Sequence, residues 1–153
     1  MKLRKMPNAN CLVYSAAMVL NVEPNAIFEA AGHNGMEVWW PNQPKPNDAR
    51  GFHIDEINYF AYTVDRIFVP FSVSPRSSPD GTAESSRPIW NPEQERRNYI
   101  NRLLNMEDAI LITENHAVAF DHIRQLVYDP NGIITDELES RYDVRMVLVC
   151  FNI

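Results

Sequence analysis

The sequence predicts an α+β domain with an antiparallel sheet, on three observations. Helix-like segments come first and mainly strand-like segments follow. The run from Cys11 to Leu20 is apolar nearly all round, with alanines and no Gly or Pro, which reads as a helix buried at the centre of the domain. The stretch from His116 to Asp129 holds two short apolar runs separated by a turn and closed by Asp129-Pro130-Asn131-Gly132, the pattern of a β-hairpin.

The elements follow in order. Asn10 stands where an N-cap is expected, so Cys11 falls in the first turn of the opening helix. Pro24 opens a second short helix that runs through Ala31 and stops at Gly32. Trp39 and Trp40 precede a loop carrying Pro41, Pro44 and Pro46. This loop fits a surface connection or an ordered binding wall, and the two tryptophans fit either the core or a substrate-facing wall. Gly51 to Ala61 reads as a third helix, with Ile54, Ile57 and Phe60 at helical spacing. Ile67 to Phe71 is strand-like. Ser72 to Asn91 is rich in Ser, Pro, Arg and Gly and reads as a long exposed loop, a functional flap or an insertion.

Pro92 starts another helix over Glu93–Asn105, with Tyr99, Ile100, Leu103 and Leu104 on one side. Its Glu95-Arg96-Arg97 cluster reads as a solvated mixed-charge face. Ala109–Thr113 is a buried strand, the hairpin follows, Leu138–Tyr142 is a short turn or helix, and Val144–Phe151 is the closing strand.

The chain of 153 residues suits one domain, spanning 1–153, with a core of ordinary size. A net charge of -6 argues against a nucleic-acid partner. No segment is long and apolar enough to suggest a membrane span. The basic start, Met1 to Met6, lacks the apolar run of a signal peptide, so a cytoplasmic protein is expected. The two cysteines, Cys11 and Cys150, make neither an expected disulfide nor a zinc site. Cys150 lies in the last strand and reads as a space-filling thiol. His33, His53 and His122 read as surface residues, with no ligand spacing among them. No metal and no cofactor is expected.

The chemistry centres on three residues. A cysteine at a helix N-terminus is favoured as a thiolate by the unpaired N–H groups and the positive end of the helix dipole. His116 begins one hairpin strand and Asp129 ends its neighbour, so both lie at the same sheet edge. That places an imidazole as base for Cys11 and a carboxylate to fix its tautomer. The Cys11 backbone N–H would serve an oxyanion site. The same residue types also fit plain core and turn roles. What favours a triad is the order of cysteine on an early helix, histidine on a later strand and acid on the next.

In that order the chain resembles the papain-like cysteine peptidases, especially the C39-like group. Asn10 to Leu20 resembles the nucleophile helix of that group. His116-Ala117-Val118-Ala119-Phe120-Asp121 and Val127-Tyr128-Asp129-Pro130 resemble its histidine and acid strands, and Gly51–Ala61 the helix between. The resemblance implies a papain-like fold, with the nucleophile helix packed on the sheet. It also implies a cysteine hydrolase that cleaves a peptide, isopeptide or similar amide through a thioester, on a peptide or protein substrate. Transfer of the acyl group to an amine would make it a transferase.

The group carries a glutamine before the cysteine for the oxyanion hole. Here Lys5 stands at that spacing, and Asn8 is the side-chain amide placed to join the Cys11 N–H, with Asn10 the weaker candidate because it would more naturally cap the helix. The missing glutamine also supports an alternative reading, a catalytically weak or inactive papain-like module that binds a protein partner.

Overall fold

The computed structural model describes residues 1–7, 9–35, 51–74 and 92–153. The described residues form an α+β fold of five helices and a six-stranded antiparallel sheet. The helices are α1 (Cys11–Leu20), α2 (Pro24–Ala31), α3 (Ile54–Thr63), α4 (Pro92–Leu104) and α5 (Leu138–Arg141). The strands are β1 (Arg66–Ser72), β2 (Ala109–Ile112), β3 (Ala117–Asp121), β4 (Leu126–Asp129), β5 (Ile133–Thr135) and β6 (Met146–Asn152), ordered β1-β6-β2-β3-β4-β5 across the sheet.

The central strands are buried on both faces, and their alternation divides the core in two. Ile110, Ala117, Ala119, Tyr128, Leu148 and Cys150 meet α1, α2 and α3 on one side. Leu111, Val118, Phe120, Val127, Val147 and Val149 meet α4 residues Ile100, Leu103 and Leu104 on the other. Each such fully buried aliphatic side chain contributes about 1.5–3 kcal/mol of burial energy.

α1 lies on β3, and both elements bring small side chains to the core they share, Ala16 and Ala17 from the helix and Ala117 and Ala119 from the strand. Short side chains on both elements let helix and sheet approach closely. That brings the N-terminus of α1 to the start of β3, where His116 stands.

Local chemistry sets the helix ends. α2 has Pro24 in its first turn and ends at Gly32 in the left-handed region (φ 76°). α3 starts at Ile54, three residues later than the expected Gly51, because His53 and Glu56 form a capping box. The Asn58 side-chain amide then clamps α3 to β1, accepting from Phe68 N–H at 2.8 Å and donating to Phe68 O at 3.0 Å.

Three expectations are corrected. Arg96 is not on a solvated face: it is 6% exposed, and its guanidinium donates to Ser74 O, Val144 O and Asp143 Oδ1 at 2.8, 2.7 and 3.2 Å. An arginine can be buried when its fork of donors meets carbonyls and a carboxylate. Glu95 and Arg97 are exposed, as expected. His33 is buried rather than on the surface, because its ring stacks on Phe52 and pairs with Glu56. β5 is an additional strand that the turn-like sequence after Asp129 did not suggest. Among the described residues, no single helix is long and apolar enough to cross a membrane.

Candidate active site

Cys11 is the first residue of α1 and is half-buried. The first N–H groups of a helix have no partner within it, so the sulfur sits among unpaired donors. His116 sits immediately before β3, in the turn from β2, where its carbonyl accepts from Thr113 N–H at 2.9 Å. Asp129 ends β4. The β3–β4 ladder pairs Ala119 with Tyr128, and continuing it places Asp129 opposite Val118. His116 is then the diagonal neighbour of Asp129 on the same sheet face, a position from which long side chains meet.

They do meet. His116 Nε2 and Asp129 Oδ1 are 2.8 Å apart. Asp129 is 4% exposed and accepts two further hydrogen bonds, from Asn131 N–H at 2.9 Å and from the Tyr142 hydroxyl at 2.7 Å. Burial works against its charge. The N–H of Asn131, the Tyr142 hydroxyl and the His116 ring outweigh that and hold the carboxyl below its ordinary range. Burial and the facing Asp129 carboxylate push the Tyr142 hydroxyl up, so it stays a donor.

With Nε2 on Asp129, Nδ1 is the ring nitrogen left for the sulfur. The hydrogen bond with Cys11 raises the His116 pKa most. Burial opposes it, and Asp129 adds to it, bringing the ring from 6.5 to about 9. Cys11 moves the other way. Burial resists the thiolate, but the His116 ring, the N–H of Ala117, the imidazolium charge and the N–H of Leu12 lower the thiol below its ordinary value. Opposite shifts on two touching groups favour a thiolate–imidazolium pair. Cys150 contrasts with it: burial pushes that thiol up to about 11.

The structure therefore brings together Cys11, His116 and Asp129. The Cys11 backbone N–H stands at the open end of α1, while Asn8, Trp39 and Trp40 lie outside the described residues. Lys5 runs its stem along Gly132, just past the Asp129 turn. A cavity of about 430 Å³ adjoins His116, walled by Glu114, Asn115, Arg141 and Tyr142.

Sequence reading missed Tyr142 and the N–H groups of Asn131 and Ala117. Tyr142 lies 13 residues from Asp129 with no spacing that links them. The two amides carry no side-chain signal. The other histidines have separate partners: His122 binds Asp108 through Nδ1 at 2.7 Å, and exposed His53 is the N-cap of α3. Among the described residues, no group of three His, Cys, Asp or Glu side chains is arranged to hold a metal ion. Comparison of the chain with protein-family models, with curated proteins and with solved structures gives no match.

Proposed function

We propose that the chain is a papain-like cysteine hydrolase that cleaves a peptide, isopeptide or similar amide bond in a peptide or protein substrate. The observation that carries this reading is the His116 ring held between the Cys11 sulfur and the buried Asp129 carboxylate. The order of the three residues in the chain, and the helix laid on the sheet, agree with the resemblance to C39-like peptidases. Two free thiols suit a reducing, cytosolic setting.

In this mechanism the Cys11 thiolate attacks the amide carbonyl carbon. The carbonyl electron pair moves to oxygen, and the N–H of Cys11 stabilises the oxyanion, with the Asn8 amide as second donor. As the tetrahedral species collapses, the C–N bond breaks and His116 gives its proton to the leaving amine. A thioester on Cys11 and a neutral imidazole remain. His116 then takes a proton from water, the hydroxide adds to the thioester, and collapse expels the Cys11 thiolate with the free acid. Asp129 keeps the ring turned toward Cys11 throughout, and Tyr142 and Asn131 fix Asp129.

One observation favours the module that binds a partner instead. Lys5, at the glutamine position, carries an ammonium whose stem packs on Gly132 and supplies no amide to the oxyanion.

The deciding test is the pH dependence of Cys11 alkylation in the Cys150→Ser protein, with and without His116→Ala. A thiolate reactive well below the ordinary thiol pKa of about 8.5, and lost in His116→Ala, supports the hydrolase. Reactivity of an ordinary thiol in both proteins removes that reading and leaves the binding module.

A further inference from the structure

In the proposed mechanism the proton that His116 gives up goes to the leaving nitrogen. The departing segment must therefore pass against His116 rather than along α1. His116 closes the turn between β2 and β3, residues 113–116. Thr113 ties that turn to the His116 carbonyl through its N–H at 2.9 Å and its hydroxyl at 3.3 Å. Glu114 and Asn115 are the two exposed residues at its tip.

The cavity of about 430 Å³ beside His116 lies between this turn and residues 141–143. Of the three triad residues, His116 alone lines it. Both walls are fixed. Arg145 N–H donates to Ile112 O at 2.8 Å, which joins them at the base. Tyr142 N–H donates to Leu138 O at 3.0 Å, and the Tyr142 hydroxyl is spent on Asp129. The volume falls within the roughly 300–1,000 Å³ of small-ligand sites and is ample for one long side chain.

The charges around it are matched, with one exception. Arg141 Nε donates to Glu137 Oε2 at 2.9 Å. Asp143 accepts from Arg96 on one oxygen at 3.2 Å and from Arg145 on the other at 3.0 and 3.2 Å. His116 faces Asp129. Among the described residues, no hydrogen bond or ion pair engages the Glu114 carboxylate, which stands two residues from His116 on the same fixed turn. An unmatched carboxylate at the mouth of a cavity favours a cation there.

We propose that this cavity is the leaving-group site, and that Glu114 selects a departing amine whose own side chain is cationic, an arginine or lysine residue directly after the cleaved bond. Glu114 is a specificity residue: it meets the substrate side chain and no reacting atom. The inference rests on the reading of Cys11 and His116 as the working pair. The cleavage step run backwards uses the same site. An amine bound there attacks the thioester carbon on Cys11 and passes a proton to His116. The C–S bond then breaks, releasing an amide and the Cys11 thiolate.

The test uses the Cys150→Ser protein and p-nitrophenyl acetate, whose phenolate leaves without a proton. Attack by Cys11 leaves an acetyl thioester, detected by mass. Argininamide, its neutral isostere citrullinamide and glutamic acid α-amide then compete for the acetyl group. Each yield is divided by that amine's uncatalysed reaction with the ester. Argininamide is expected to lead citrullinamide by about two- to fivefold, the strength of an exposed ion pair, and the lead is expected to shrink in high salt. Glu114→Gln is expected to bring the two amines level, and Glu114→Lys to favour glutamic acid α-amide. Glu29→Gln removes the same charge from the exposed side of α2 and is expected to keep the lead.

Equal transfer to argininamide and citrullinamide in the parent protein, or a lead for glutamic acid α-amide, overturns the inference, because the site then does not select a cation. A lead that survives Glu114→Gln overturns it as well, since Glu114 is then not the cause. A thioester that only water releases denies the amine a seat beside His116 and overturns the leaving-group site. In these cases the thioester has formed and the hydrolase reading stands. Failure to form any acetyl adduct on Cys11 removes that reading, and the inference with it.

Discussion

The Tyr142 hydroxyl donates to Asp129 Oδ2 at 2.7 Å, on the oxygen that His116 leaves unused. The acid of the candidate triad is therefore gripped from both oxygens inside the protein. Tyr142→Phe removes one donor and leaves the ring volume in place. A buried hydrogen bond to a charged group contributes about 1.5–3 kcal/mol, so unfolding in urea should show a loss in that range. Cys11 alkylation near neutral pH should slow by a few-fold, because Asp129 then holds His116 less firmly.

The titration of His116 gives a second prediction. Its pKa is raised in the folded protein, from 6.5 to about 9, foremost by the hydrogen bond with Cys11. A raised pKa means that the stabilising contribution is complete below pH 6.5 and is lost as pH rises through 9. The leaving amine needs the imidazolium proton, so the rate of amide cleavage should fall on an alkaline limb near that same value. The stability of the wild type relative to His116→Gln should decline over the same window. Urea midpoints for the two proteins across pH 6 to about pH 10 measure the second effect independently of any substrate.

The two thiols should behave as opposites. Cys150 is fully buried and its thiol is pushed up to about 11, chiefly by burial, whereas the Cys11 thiol is lowered. Native protein treated with an alkylating reagent near neutral pH should gain one adduct by mass, on Cys11. A second adduct should appear only in denaturant.

Arg96 offers a prediction away from the site. Arg96→Met keeps an unbranched apolar stem but removes the guanidinium donors that now bond the carbonyls of Ser74 and Val144. The buried Val144 carbonyl left without a donor, and the loss of the bond to Asp143, should cost about 2–4 kcal/mol. The Cys11 alkylation profile should not change, which would separate this structural arginine from the machinery around His116.

Much of this was legible before any coordinates. The apolar run of α1, the Pro24 and Gly32 signals around α2 and the two runs of the β3–β4 hairpin each carry a local signature, and local signatures survive folding. The pairing of His116 with Asp129 was legible because strand direction alone puts both at one sheet edge. What escaped reading depends on distant contacts. Arg96 looks solvated on its own helix until Ser74 and Val144 arrive from other parts of the chain. Tyr142 has no local pattern that points to Asp129. Asn10 reads as a cap by residue type, and only its left-handed backbone reveals why its side chain makes no capping bond.

The clamp of Asn58 on Phe68 has a consequence for the company the molecule can keep. Among the described residues β1 is an outer strand, paired with β6 on one side. Phe68 and Pro70, two apart along the strand, turn their main-chain groups the same way, outward. Asn58 takes both groups of Phe68, and Pro70 has no N–H to offer. A stray strand approaching this rim finds its template already filled at one position and mute at the next. The opposite rim, β5, is only three residues long and exposes Ile133 and Ile134. Self-association by strand addition, if forced by concentration or mild heating, should therefore begin at β5, and a lysine at Ile134 should suppress it where one at Val69 would not.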